Sequence, residues 1–136
     1  MGFLFGRKNK QNDYIDRGDV LDILSDFCTD TNQLADRRWK LIPDKTFFDI
    51  CDLSNVKRRL YIAEVYDCDN IAHELLNSFN GMGFMVGIIQ GYSEPGKKHR
   101  WIFYINSNKK LVHIEPATYK VIHPPKICTS DFVYTI

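Results

Sequence analysis

The stretch Phe84-Met-Val-Gly-Ile-Ile-Gln90 constrains the fold of this chain more than any other. It is nearly all apolar, which predicts a strand covered on both of its faces. Such a strand needs neighbours, and the residues after it supply them. Arg100 to Asn106 and Lys110 to Glu115 flank Ser107-Asn108-Lys109, a strong hairpin signal. Tyr119 to Ile122 reads as a further short strand and Phe132 to Ile136 as another, with Pro124-Pro125 between them. Gly91 to Lys98 reads as a polar turn.

Before the apolar run the pattern is helical. Val20, Ile23, Leu24 and Phe27 recur at three- and four-residue steps, and Leu34, Ala35 and Arg38 fit a short second helix. Trp39 to Pro43 is an extended segment, and Asp44 or Thr46 can cap a helix that turns Phe47, Ile50 and Leu53 inward. The clearest helix opens at Asp67-Cys68-Asp69-Asn70, carries the stripe Ile71, Ala72, Leu75, Leu76 and Phe79, and ends at Asn80-Gly81-Met-Gly83. Asp67 is its expected N-cap. Lys57-Arg58-Arg59 reads as a solvated connector. Helices followed by a sheet predict an α+β domain over residues 18–136, with 1–17 as a loosely held tail.

Composition narrows the partners. Eighteen basic residues against 17 acidic ones give a net charge of +1, so electrostatics offer no case for nucleic acid or an anionic membrane. No run approaches transmembrane length and the N-terminus does not read as a secretory signal. Cys28, Cys51, Cys68 and Cys128 form no CxxC pair and no zinc spacing, which is the pattern of thiols in a reducing, cytoplasmic-type compartment.

Of the four, Cys68 stands where chemistry is easiest. It lies in the opening turn of the best helix, where unpaired N–H groups and the dipole favour a thiolate, although Asp67 and Asp69 beside it oppose one. A thiol nucleophile needs a base, and the base needs an acceptor to fix its tautomer. His73 lies roughly 140° around the helix from Cys68, and His123 precedes the two prolines. His99 and His113 remain. With Asn106 paired to Lys110 across a three-residue loop, Trp101 lies opposite Glu115, and His99 and Glu115 become diagonal neighbours roughly 7 Å apart. A two-residue loop would put them on opposite faces. His99 sits at the open end of the hairpin, so it is the better base and Glu115 the better orienting group. The oxyanion donors would be the Cys68 N–H with Tyr61 or Asn70 as candidates for the second, and Trp101, Asp67 and Asp69 would face the cleft.

Val65-Tyr-Asp-Cys-Asp-Asn-Ile-Ala72, His99-Arg-Trp-Ile and Ile114-Glu-Pro-Ala117 together resemble the motifs of small papain-like cysteine peptidase domains. These are related to the catalytic domain of the Marasmius agglutinin and to short, often phage-encoded proteins. The resemblance covers about residues 40–122. It implies a papain-like or transglutaminase-like core and a Cys68–His99–Glu115 triad acting as a thiol hydrolase or acyltransferase on a peptide, protein or other amide. Arg100 and Ala117 depart from it, standing where relatives often have Ala and Gln. No cofactor is implied beyond a calcium ion that Asp67 and Asp69 could help to hold, the agglutinin being calcium-dependent. The alternative is a non-catalytic binding or inhibitor protein that grips a host factor through the same cleft. A glycan-binding module is a third reading, and it would need Trp101 and Tyr104 exposed.

Overall fold

In the computed structural model of this chain, β3 (Val86–Glu94) takes the place that the apolar run requires. It lies inside a five-stranded antiparallel sheet in the order β6-β5-β4-β3-β7, where β4 is Lys97–Ile105, β5 Leu111–Ile114, β6 Val121–Ile122 and β7 Ser130–Thr135. The structure describes residues 13–26, 34, 36–56, 68–94, 97–124 and 130–135. Within them three helices precede the sheet: α1 (Arg17–Leu24), α2 (Asp44–Ser54) and α3 (Cys68–Asn77). Two short strands, β1 (Tyr14–Asp16) and β2 (Arg38–Lys40), pair with each other. Helices and antiparallel sheets therefore share one chain, and Tyr14 to Asp16, in the expected tail, belong to the ordered part.

Alternation along the strands splits the core into two layers. Val86, Ile88, Ile102, Tyr104 and Ile114 point to one face, where α2, α3 and the turn after α3 cover them with Phe47, Cys51, Ile71, Leu75, Leu76 and Phe79. Ile89, Trp101, Phe103 and Ile105 point to the other, under Ile15, Val20, Leu24 and Trp39. Each fully buried aliphatic of α3 is worth roughly 1.5–3 kcal/mol by transfer from water. The helix ends as its glycines predict, with Gly81 and Gly83 at φ of 79° and 78°, a region that costs other residues strain.

The hairpin sets the site's register. Ile105 pairs with Leu111 and Ile102 with Ile114. The Asn106 side-chain oxygen accepts the N–H groups of Asn108 and Lys110, both at 3.0 Å, and Lys109 adopts φ 59°. That closes a three-residue loop. The same Asn106 and the Tyr104 hydroxyl, at 2.6 Å, donate to Asp44, tying the start of α2 to the hairpin. Burial and this bond push the Tyr104 hydroxyl well above the ordinary tyrosine range.

Several details depart from expectation. Leu53 is 85% exposed, because in α2 it lies six residues beyond Phe47 and so points roughly 120° away from it. Gly91 to Lys98 is not a simple turn: β3 continues through Glu94 and β4 begins at Lys97, with a bulge between Tyr92 and Glu94. Tyr119, at φ 62°, lies outside any strand, and β6 starts only at Val121. Phe27, Ala35, Cys28, Cys128, Lys57-Arg58-Arg59, Tyr61 and Asp67 lie outside the described residues.

Candidate functional site

Cys68 opens α3, and β3 and β4 run past it, so three elements meet at the helix N-terminus. An open cleft of about 330 Å³ lies there, lined by Cys68 and Asp69 from α3, Gln90 from β3, and Lys98 and His99 from β4. Every one of these side chains can form hydrogen bonds.

His99 Nε2 lies 2.6 Å from Glu115 Oε1. The odd loop produces this contact: continuing the observed register puts Trp101 opposite Glu115 and makes His99 its diagonal neighbour. Both side chains are mostly covered, at 19% and 27% exposure, and the second Glu115 oxygen accepts the Ala117 N–H at 3.2 Å. Glu115 is thus held at both oxygens and fixes the imidazole's orientation. His113, the rejected competitor, is buried elsewhere: its Nδ1 accepts the Trp101 indole N–H at 2.9 Å.

Cys68 has a second neighbour. Its thiol donates to Asp69 Oδ1 at 3.6 Å, and the same oxygen lies 3.4 Å from Arg100 Nε. Arg100 also holds the Gln90 side-chain oxygen with Nε, at 3.0 Å, and with Nη2, while its Nη1 reaches His73 Nε2 at 2.7 Å. Arg100 and His73, which sequence reasoning left out of the site, therefore stand behind its lining, Arg100 joined to Asp69 and Gln90 and His73 to Arg100. The available signal was the 3.6-residue helix period, which brings His73 roughly 40° from Asp69.

Asn70 is exposed on α3 beside the cleft. Trp101 is fully buried and does not line it; its ring lies behind His99, 6.4 Å between centroids. Tyr104 is buried too, so neither aromatic offers a sugar platform. Tyr92, which pairs in register with the cleft residue Lys98, is 40% exposed. Among the described residues no group of three His, Cys, Asp or Glu side chains could hold a metal ion. No helix of the described residues is long and apolar enough to cross a membrane.

No family model and no curated protein sequence matches this chain. Solved structures do. A complex of the Polyporus squamosus lectin PSL1a with E64 superposes at a TM-score of 0.77 and 14% identity, over 90% of this chain and 51% of that one. The Polyporus squamosus lectin bound to the human-type influenza-binding epitope Neu5Acα2-6Galβ1-4GlcNAc superposes at 0.75 and 13%, over 90% and 49%. The chain shares its fold with about half of a lectin chain. These neighbours correct the assignment to papain-like cysteine peptidases and, with it, the labels hydrolase and catalytic triad. The physical reason is that a Cys, His, Glu order on a helix and a hairpin is a local arrangement. Three side chains and one register carry it, and they leave the function of the whole chain open.

Proposed function

We propose that this chain is a binding module that takes a carbohydrate-like ligand in the cleft beside Cys68. The observation that carries this reading is the bond from the Cys68 thiol to Asp69 Oδ1 at 3.6 Å. A carboxylate oxygen this close opposes a second negative charge on the sulfur and so disfavours the thiolate. Cys68 then serves as one more polar group of the lining. Asp69 offers acceptors, Lys98 donors and His99 either, a mixture that suits vicinal hydroxyls. The half-exposed Tyr92 ring supplies an apolar face for a sugar to lie on. The lectin neighbours, one of them bound to a trisaccharide, lend this support at the level of the fold.

One observation favours a second reading, covalent chemistry at Cys68 on an electrophilic ligand, with His99 as base and Glu115 as orienting group. It is the His99–Glu115 contact of 2.6 Å in the same cleft. Alkylation with iodoacetamide, followed across pH by peptide mass spectrometry, separates the two. On the binding reading Cys68 reacts with the profile of an ordinary thiol and His99→Ala leaves its rate within about twofold. A Cys68 that reacts rapidly well below pH 8, and loses roughly tenfold or more in rate on His99→Ala, overturns that reading in favour of the second.

A further inference from the structure

Among the described residues Arg100 meets three partners from two elements. Gln90 lies on β3, and Asp69 and His73 lie on α3. A guanidinium has only donors and stays charged at any pH a folded protein tolerates, so each partner must present an acceptor. For Gln90 that is the carbonyl oxygen. For His73 it is the lone pair of Nε2, which exists only on the neutral ring. We infer that Arg100 is the positioning residue of the cleft, a clamp that holds Asp69 and Gln90 in its wall and depends on His73 remaining neutral.

The geometry explains why a guanidinium stands here. Its planar fork spans the gap between β3 and the first two turns of α3, whereas an ammonium would reach one partner at a time. Arg100 is itself largely covered, at 16% side-chain exposure, while Asp69 at 54% stands towards water. Burial and the Arg100 charge hold His73 below the ordinary histidine range, while Asp69 pulls it upward. Among the described residues these are the charged groups that act on His73. Its affinity for protons is lower folded than unfolded, so the clamp is intact at neutral pH and is lost as pH falls through the acid side of the histidine range. An imidazolium would then face Arg100 without a lone pair to offer.

The inference rests on the cleft being the ligand site, but its test needs no ligand. NMR of the whole chain can follow the Gln90 side-chain amide, the Arg100 Nε–H and the Cys68 backbone amide during acidification. All three are expected to move with one midpoint, that of the His73 ring. His73→Gln, whose oxygen can still accept from Arg100 but does not titrate, is expected to abolish the step and to keep the neutral-pH shifts. Arg100→Lys is expected to move the Gln90 amide towards the position of free glutamine at every pH. A step that persists in His73→Gln, or a Gln90 signal unmoved by Arg100→Lys, overturns the inference. Either outcome leaves the question of what the cleft binds to its own measurement.

Discussion

Phe47→Ala is expected to cost about 3–5 kcal/mol of stability, the range for emptying a fully buried aromatic site. For a chain of this size that lowers the melting temperature by roughly 10–20 °C. The ring stacks on Tyr104 at 4.0 Å and on Phe79 at 5.1 Å, and meets Phe48 edge-on at 5.3 Å. It joins α2, the turn after α3 and strand β4, so no single element can move in to fill the space. Phe47→Leu keeps most of the volume and should cost about half as much or less. Urea denaturation of both variants checks this. A loss below about 1 kcal/mol for Phe47→Ala would mean that the three elements are not joined through this ring.

Acid is expected to destabilise the chain through His113. Burial, with a smaller contribution from His123, lowers its pKa to about 4, while the unfolded ring titrates near 6.5. Because the folded value is the lower one, the unfolded chain binds the proton first. Stability is then unaffected above about pH 6.5 and falls as pH drops from there towards 4. The slope approaches about 1.4 kcal/mol per pH unit, and the whole window is worth roughly 3 kcal/mol. Structure gives the reason: Nδ1 accepts from the buried Trp101 indole, and a protonated ring could not. His113→Gln leaves an acceptor for that indole and removes the titration. Its unfolding free energy should be flatter with pH between 6.5 and 4 than that of the parent, and parallel curves would refute the assignment.

These residues also mark how far the sequence could be read. The apolar run at 84–90 identified the covered strand because burial on two faces leaves no polar phase to mistake. The hairpin was legible from Ser107-Asn108-Lys109, but its register stayed conditional on a three-residue loop, which the structure supplies through the Asn106 side-chain oxygen and the left-handed Lys109. From that register the His99–Glu115 contact followed by arithmetic. Leu53 misled because hydrophobicity was counted without strict phase. Trp101 misled in another way: it shares the face of His99 but lies two residues further along β4, where Ile15, Val20, Leu24 and Trp39 cover it. Arg100 was noticed only as a departure from a pattern. Its role depends on where α3 crosses β3 and β4, a tertiary distance that no local spacing encodes. The family resemblance failed at the same boundary, since three motifs fix a site's shape and leave its use undetermined.

The ligand proposed for the cleft formed by Cys68, Asp69, Gln90, Lys98 and His99 is a carbohydrate. The most direct measurement is a ¹H–¹⁵N titration of the chain with Neu5Acα2-6Galβ1-4GlcNAc, repeated on Tyr92→Ala and Lys98→Ala. Saturable shifts confined to residues 68–70, 90–92 and 98–100, weakened roughly tenfold by either variant, are the expected result. Shifts that map elsewhere, or no saturable shift at millimolar trisaccharide, would contradict it.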